Sequence, residues 1–374
     1  MSTWFTPADC RLNDFRALVE QKTDPSDYPY AADLASNVLV YSSPDVVRAP
    51  RAEVTAELAR ALMSGPGIVV FKGAFADDVV DRATDVFFAM ISEQKAAGVV
   101  GGDHFAKPGA NDRVWGALDK FAVRDPAAFA AYYATDVLAL VSTAWLGSGY
   151  QVTSQINVVN PGGAAQMAHR DYHLGFMSAA QAQRFPAHAH LLSPALTLQG
   201  AVAHVDMPVE TGPTLYLPHS QKYPPGYLAF HQPDFTAYFD ENHVQLPLEK
   251  GDAAFFNPAL FHAAGMNRSA EVRRMANLLQ VSSAFGRAME AVDRTAMALA
   301  LYPVLRTFPG NVHNVVAASA EGYAFPTNLD HDQPIGGLAP QTQAELMLQA
   351  LAEDWPEETF AAALRGQQER RRPA

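Results

Sequence analysis

The sequence predicts a mainly β domain of jelly-roll type with flanking helices. Three observations predict this fold: a helical lead, a series of short strand-like segments that begins at residue 151, and turn signals between those segments. The chain has 374 residues and 49% are hydrophobic, so it can bury a large core. Charged residues make up only 18%, which favours a folded protein of enzyme size over a disordered one.

The helical lead contains amphipathic segments around one buried strand. Residues 50–63 and 77–95 carry apolar side chains at helical spacing. Ile68–Phe71 follows a Gly-Pro-Gly turn and predicts a short buried strand. Residues 96–112 are glycine-rich and predict a loop, and residues 126–146 predict a further helix.

The strand-like segments after residue 150 are rich in β-branched and aromatic residues. They are residues 151–160, 196–205, 214–217, 244–248, 253–256 and 274–283. Two insertions, at 178–194 and 222–242, interrupt the series, and insertions of this length at the mouth of a sandwich are often lids or binding loops. The chain then returns to helices, with an amphipathic segment at 342–353 and a charged tail at 365–374 that we expect to fray.

Composition and charge exclude several function classes. The formal net charge is -12, and a diffuse negative surface repels phosphates, so the sequence predicts no nucleic-acid partner. The single cysteine, Cys10, permits neither an internal disulfide nor a thiolate metal site, which fits a reducing compartment. We find no basic, apolar leader and no apolar run of about 18–20 residues, so we expect a cytoplasmic protein with no membrane partner. The sequence does not indicate an oligomeric state.

A His-x-Asp motif, His169-Arg170-Asp171, follows the first strand of the β region and a Pro-Gly-Gly turn. Residues i and i+2 of an extended segment point to the same side, so His169 and Asp171 can bind one metal ion together. His262 lies just past the segment at 253–256 and can supply a third ligand. Two histidines and one carboxylate on one face of a metal leave positions open, as in non-haem Fe(II) oxygenases.

An arginine would complete a site for 2-oxoglutarate, whose distal carboxylate a guanidinium binds best through two parallel hydrogen bonds. Arg273 begins the strand-like segment after His262, and a tight turn at 267–271 would place the two segments side by side. Arg273 and Arg274 point to opposite sides of an extended chain, so only one of them can face the metal. We predict that Arg273 does.

Gln155 and Asn157 share one face of the segment at 151–160. Their amides could point into the pocket and hydrogen-bond the cosubstrate or the substrate, and an exposed polar face fits the pattern equally well. We assign both residues to cosubstrate binding.

Three stretches resemble the phytanoyl-CoA dioxygenase family. Residues 251–274, Gly-Asp-Ala-Ala-Phe-Phe-Asn through His262 to the paired arginines, are similar to the family's distal motif. Residues 205–222 carry an acidic turn, Gly-Pro, a strand and Pro-His-Ser, and residues 67–75 resemble the family's first strand. The resemblance covers about residues 64–286.

This resemblance implies a double-stranded β-helix, a cupin-like jelly roll, that uses Fe(II), 2-oxoglutarate and O2. It matches His169, Asp171 and His262 to the iron ligands and Arg273 to the 2-oxoglutarate anchor. Many members have a hydroxyl residue two positions after the distal histidine, where this chain has Ala264, so one cosubstrate hydrogen bond would be missing or come from elsewhere.

The resemblance also suggests a division of the chain into three parts. Residues 1–63 form an N-terminal extension packed on the core, residues 64–286 the oxygenase domain, and residues 287–374 a C-terminal helical extension. The two end segments match nothing in the family's motifs.

Other histidine motifs compete with the predicted site. Residues 204–206 are also His-x-Asp, but Asp206 is the acidic residue that opens the family-like turn, so we prefer His169. Residues 188–190, His-Ala-His, lie in an insertion without strand context. Residues 330–332, Asp-His-Asp, lie in a predicted loop and are expected to be a solvated turn.

The sequence therefore predicts an Fe(II)- and 2-oxoglutarate-dependent dioxygenase that hydroxylates an unactivated C–H bond of a small-molecule metabolite and releases succinate and CO2. Halogenating relatives replace the carboxylate ligand with a small residue, whereas this chain keeps Asp171. The acidic surface disfavours a coenzyme A thioester. The alternatives are a metal-binding cupin-like isomerase, hydrolase or sensor without 2-oxoglutarate turnover, or a structural relative that binds no metal.

Overall fold

The structure, a computed structural model, describes residues 3–98 and 110–373. Two β-sheets lie at its centre. The strands in chain order are β1 (Asp33–Ala35), β2 (Val38–Ser42), β3 (Ile68–Lys72), β4 (Asn111–Val114), β5 (Gln151–Val159), β6 (Thr197–Ala203), β7 (Leu215–Leu217), β8 (Val244–Gln245), β9 (Ala253–Phe256), β10 (Phe261–Ala263) and β11 (Arg274–Ser282).

Helices precede, interrupt and follow the strands. They are α1 (Leu12–Val19), α2 (Ser43–Arg48), α3 (Arg51–Met63), α4 (Asp77–Ala96), α5 (Ala117–Arg124), α6 (Pro126–Tyr133), α7 (Asp136–Leu146), α8 (Ala179–Ala182), α9 (Ala187–Leu192), α10 (Gly226–Ala229), α11 (Pro233–Asn242), α12 (Arg294–Leu305), α13 (Val312–Ser319), α14 (Gln343–Ala352) and α15 (Glu357–Arg371). More described residues lie in helices than in strands, so the prediction of a mainly β chain is wrong in its proportions.

The large sheet has eight strands in the order β1-β2-β3-β9-β6-β11-β5-β4, and the small sheet has three in the order β10-β7-β8. β2 and β3 pair parallel and the other neighbours pair antiparallel, so the large sheet is mixed. The segment before residue 64 thus contributes two strands to this sheet. The division of the chain at residues 63 and 286 stays a prediction.

Alternation along the long strands separates a core face from a pocket face. In β5, Val152, Ile156 and Val158 are buried in the hydrophobic core that the large sheet shares with the helices. Gln155 and Asn157 point the other way and line a pocket between the two sheets. The predicted sharing of a face by these two amides is confirmed.

The predicted helix at 126–146 is two helices, α6 and α7, which meet at a bend of 61°. At the break, the Nδ2 of Asn314 donates to the carbonyl oxygens of Ala134 at 3.0 Å and Thr135 at 3.2 Å. These bonds satisfy carbonyl groups that a continuous helix would pair internally. Among the described residues no single helix is long and apolar enough to cross a membrane, although this bent pair passes by length and composition when taken together.

The charged tail is ordered, contrary to the expectation that it frays. α15 continues to Arg371, with Leu364 buried on its inner face. Arg370 and Arg371 both pair with the buried carboxylate of Asp332. Packing and ion pairing therefore hold in place a segment whose composition alone predicted a frayed, solvent-exposed tail. The predicted loop at 96–112 falls largely on residues outside the described range, and its end forms β4.

Buried His204 gives the fold a measurable pH dependence. Its Nδ1 lies 2.8 Å from the Thr84 hydroxyl and its Nε2 lies 2.9 Å from the Tyr132 hydroxyl. Burial lowers the pKa of His204 to about 3. An unfolded histidine binds its proton near pH 6.5, so between this pH and 3 only the unfolded state is protonated at this residue. We expect this difference to lower the free energy of unfolding by about 2 kcal/mol between pH 7.5 and pH 5.

Urea unfolding of wild type and His204→Gln at both pH values tests this expectation, because the amide keeps hydrogen bonding without a proton to gain. His188→Gln, a change at an exposed histidine, is the matched control. An unchanged pH dependence in His204→Gln would show that His204 is not the responsible group.

Candidate metal centre

A backbone bridge brings the predicted ligands together. The His169 N–H donates to the His262 carbonyl at 3.0 Å, and the His262 N–H donates back at 3.1 Å. The Asp171 N–H donates to the carbonyl of Pro258 at 3.0 Å. His169 therefore faces His262 as in an antiparallel pair, and alternation turns Asp171 to the same side. Arg170 between them points away and is buried over the rings of Tyr227 and Phe261.

The ligand atoms of His169, Asp171 and His262 all lie within 4.8 Å of one another. The Nε2 of His169 is 3.7 Å from the Asp171 Oδ1, and the Nε2 of His262 is 3.3 Å from the Asp171 Oδ2. The structure thus brings together the three residues that the sequence predicted as metal ligands.

Hydrogen bonds set the orientation of both imidazoles. The Nδ1 of His169 lies 2.8 Å from the carbonyl oxygen of Met167, and the Nδ1 of His262 lies 2.9 Å from that of Leu260. A carbonyl only accepts, so each Nδ1 carries the proton and each Nε2 presents its lone pair towards Asp171. Two neutral imidazoles and one carboxylate in this orientation fit a divalent metal ion.

Asp171 is held as an anion. Burial raises its pKa, but the neighbouring imidazoles of His169 and His262 and a hydrogen bond from Gln199 outweigh burial and lower the pKa well below its usual range. The Nε2 of Gln199 donates to the Asp171 Oδ2. This bond fixes the carboxylate against β6 on the floor of the pocket.

The pocket beside the triad lies between the two sheets. Its walls include Gln155 and Asn157 from β5, Gln166 from the segment before the His-x-Asp motif, and Arg274 from the start of β11. Gln155 and Asn157 therefore lie in the same cavity as the three predicted metal ligands, and their assignment to cosubstrate binding stays a prediction.

Arg273 does not face this pocket. Its Nη2 pairs with the Oδ2 of Asp112 at 2.9 Å, its Nε donates to the Oδ1 of Asn160 at 3.2 Å, and its guanidinium lies over the ring of Phe88. The predicted orientation is wrong by one residue, because β11 begins at Arg274 and alternation turns that side chain inward instead.

Arg274 is buried and lines the pocket wall. Its Nη1 donates to the carbonyl oxygens of Thr211 and Gly265, each at 3.1 Å. Burial lowers the pKa of Arg274 to about 10, so the group stays charged at neutral pH. No carboxylate in residues 3–98 or 110–373 pairs with this guanidinium.

The competing histidine motifs lie elsewhere. His204 is enclosed on the helical side of the large sheet by Thr84 and Tyr132, and Asp206 accepts the backbone N–H of Lys250 at 2.9 Å. The Nε2 of His190 lies 3.1 Å from the carbonyl of Ala182. In the Asp-His-Asp turn Asp330 and His331 are exposed as predicted, whereas Asp332 is buried in the ion pairs with α15.

Two pocket residues, Gln199 and Gln280, were missed by the sequence interpretation. Both lie in strand-like segments of mostly apolar and small residues, where a glutamine on the pocket face is the signal. With the register unknown, nothing in the sequence placed either residue opposite the other.

The sequence profile of the phytanoyl-CoA dioxygenase family (PhyH) matches residues 63–275. The structure is similar to the non-heme alpha ketoglutarate dependent epimerase SnoN from nogalamycin biosynthesis, with 19% identity, 62% of this chain and 84% of that chain covered, and a TM-score of 0.42. It is also similar to AviO1 from Streptomyces viridochromogenes Tue57, with 16% identity, 64% and 97% coverage, and a TM-score of 0.44. No curated protein sequence matches the chain.

Proposed function

Because the chain belongs to the phytanoyl-CoA dioxygenase family, we propose that it is an Fe(II)- and 2-oxoglutarate-dependent oxygenase with His169, Asp171 and His262 as iron ligands. The observation that carries the proposal is the convergence of these three side chains on one point beside a pocket. Bound iron would supply the oxidation that side chains cannot perform, in which O2 oxidises both the substrate and 2-oxoglutarate, the latter to succinate and CO2.

Arg274, rather than Arg273, is our proposed partner for the distal carboxylate of 2-oxoglutarate. A buried guanidinium with no carboxylate partner in the described chain is costly unless a ligand brings the anion. A guanidinium has five N–H donors, and the two carbonyl bonds of its Nη1 hold the group in place while other donors remain. The same pocket holds the metal ligands, so one diacid could contact both.

Asn157 and Gln166 are the proposed further contacts of the cosubstrate. Asn157 pairs with Ala276 across the sheet, two residues from Arg274 along β11, and the NH2 group of its amide can donate to a carboxylate. The Oε1 of Gln166 accepts the backbone N–H of Ala264 at 3.1 Å. The Gln166 amide thus sits where the family commonly has a hydroxyl residue and can replace that missing hydrogen bond.

Hydroxylation of a small-molecule C–H bond is the proposed outcome. The Asp171 carboxylate would hold one position at a bound metal, which disfavours the halide binding that halogenation needs. The protein would hold the metal, position the cosubstrate and enclose the substrate between the two sheets. We assign the arrangement of these sheets to a double-stranded β-helix. We also propose a cytoplasmic location, supported by the single cysteine.

Succinate formation tests the proposed function. Protein loaded anaerobically with Fe(II) is mixed with 2-oxoglutarate and O2, alone and with a panel of small metabolites, and succinate is quantified. We expect succinate that requires iron and 2-oxoglutarate, that rises with a suitable substrate and that disappears with a chelator. Binding of 2-oxoglutarate without any succinate would instead indicate a sensor, and the proposal of an oxygenase would be wrong.

A further inference from the structure

Three glutamines form a polar end of the pocket, away from Arg274. Gln280 of β11 lies directly opposite Gln199 of β6, and Leu278, two residues before Gln280, lies opposite Gln155 of β5. All three glutamines line the pocket. We call Gln155, Gln199 and Gln280 the amide end.

Two of these amides present acceptors that the protein leaves unpaired. The Asp171 carboxylate only accepts, so the NH2 group of Gln199 must face it and the Gln199 carbonyl oxygen must point elsewhere. That oxygen and the Oε1 of Gln280 are buried without a hydrogen-bond partner. The two residues are only 7% and 8% exposed. Buried unpaired acceptors are rare in folded proteins, so these two point to a ligand that brings donors.

The cosubstrate is too short to reach Gln280 from its proposed anchor. Gln280 is six residues along the strand from Arg274, which corresponds to roughly 20 Å in an extended chain. 2-Oxoglutarate, a five-carbon diacid, cannot bond the Arg274 guanidinium and also reach this far. In addition, the carboxylates of 2-oxoglutarate only accept hydrogen bonds. They therefore cannot pair with the two glutamine oxygens, which are also acceptors.

The pocket mouth near the amide end is apolar. Trp115, Phe176 and Met289 line the pocket and keep 37%, 56% and 40% of their surface exposed. The Nε2 of Gln155 contacts the sulfur of Met289 at 3.8 Å. Exposed apolar side chains that rim a polar cavity are typical of a binding site for a molecule with one apolar face.

The charged groups that line the pocket are of both signs, and the negative one, Asp171, is the group that the Gln199 amide contacts. Among the described lining residues these groups are Arg113, Arg274 and the metal-ligand triad. Arg113 lies across from Asn157, and its guanidinium stacks over the ring of Trp115 at 5.1 Å. An anionic substrate would therefore be drawn to the Arg113 level of the pocket, whereas the amide end favours an uncharged group.

We infer that the substrate is an uncharged small molecule that places hydroxyl or N–H donors on Gln199 and Gln280 and an apolar or aromatic face against Trp115 and Phe176. This inference rests on the proposed function, because it takes the triad and Arg274 to be occupied by metal and cosubstrate. It gives Gln280 the role of a specificity-determining residue.

Binding of three matched probes tests the inference without turnover. The probes are 1-phenylethane-1,2-diol, its dimethyl ether, which has no donors, and phenylacetate, which has a carboxylate. Each is titrated by ligand-observed NMR into protein loaded with Ni(II), which does not activate O2, and saturated with 2-oxoglutarate. We expect the diol to bind about tenfold more tightly than either counterpart.

Variants at Gln280 separate hydrogen bonding from packing. Gln280→Met keeps the side-chain length but removes the acceptor, and we expect it to weaken diol binding about tenfold. Gln280→Glu keeps an acceptor and is expected to retain binding. Thermal unfolding of each variant checks that the fold is intact.

The inference is contradicted if the ether or phenylacetate binds as well as the diol, if no probe binds, or if Gln280→Met binds the diol normally. Preference for phenylacetate that is lost in Arg113→Gln would indicate an anionic substrate instead. A calorimetric titration of 2-oxoglutarate into the same Ni(II)-loaded protein, before it is saturated, separates the two failures. Normal 2-oxoglutarate binding with no diol preference overturns only the substrate class, whereas absent 2-oxoglutarate binding overturns the proposed function.

Discussion

Asp171→Ala is expected to abolish 2-oxoglutarate turnover and to weaken Fe(II) binding at least 100-fold. The carboxylate is the only anionic ligand of the triad, and its two oxygens face the Nε2 atoms of His169 and His262. Loss of groups that merely orient a metal ligand already costs about 10- to 100-fold in metal affinity, so loss of a ligand itself costs more. Two imidazoles alone would also leave the positive charge of the metal uncompensated in a half-buried site.

Anaerobic Fe(II) titration of wild type and variant measures this effect, with succinate formation as the second readout. Asp206→Ala is the matched control, because Asp206 is the carboxylate of the competing His-x-Asp motif and is exposed. It should bind Fe(II) like wild type. If Asp206→Ala lost iron and Asp171→Ala kept it, the assignment of the ligands would be wrong.

Arg274→Gln is expected to raise the dissociation constant of 2-oxoglutarate about 100-fold while leaving metal binding intact. Hydrogen bonds to charged groups contribute about 1.5–3 kcal/mol each, and a paired guanidinium–carboxylate contact offers two of them. Every 1.4 kcal/mol is a factor of ten in affinity. Glutamine can still donate to the carbonyls of Thr211 and Gly265, so the change removes the charge with the least disturbance of the wall.

The neighbouring arginine supplies the control for this experiment. Arg273→Gln removes an ion pair with Asp112 on the other side of the sheet, where the Arg273 side chain is 44% exposed. The buried carboxylate of Asp112 keeps its second ion pair, with Lys95 at 2.7 Å, so the change does not leave this group unpaired. Calorimetric titration of 2-oxoglutarate into both metal-loaded variants should show a large loss in Arg274→Gln and none in Arg273→Gln. The reverse pattern would restore the orientation that the sequence suggested.

Several helices and strands could be predicted from the sequence because hydrophobic periodicity is a local signal. α3, β3, α4, β5 and β11 begin and end within one or two residues of their predicted bounds. Features that depend on contacts between residues far apart in the chain could not be predicted. The break between α6 and α7 depends on Asn314, and the order of the tail depends on Asp332. Each partner lies far away in the chain.

The candidate site likewise contains residues that could be predicted from the sequence and residues that could not. His169 and Asp171 could be predicted because an i, i+2 spacing in an extended segment fixes a shared face without knowledge of the fold. Arg273 was chosen over Arg274 wrongly because that choice needs the face of the strand that turns toward the pocket, and this face is set by the pairing of β11 with β5 and β6. Gln199 and Gln280 became a pair only through the same register.

The proposed iron ligands and the proposed 2-oxoglutarate anchor are best tested by a crystal structure of the protein grown anaerobically with Fe(II) and 2-oxoglutarate. The anomalous scattering of iron locates the metal. We expect one strong peak, which marks an iron ion bound by the Nε2 atoms of His169 and His262 and by Asp171. We also expect the distal carboxylate of 2-oxoglutarate on Arg274. An iron peak elsewhere in the molecule, or a cosubstrate whose distal carboxylate contacts no guanidinium, would contradict it.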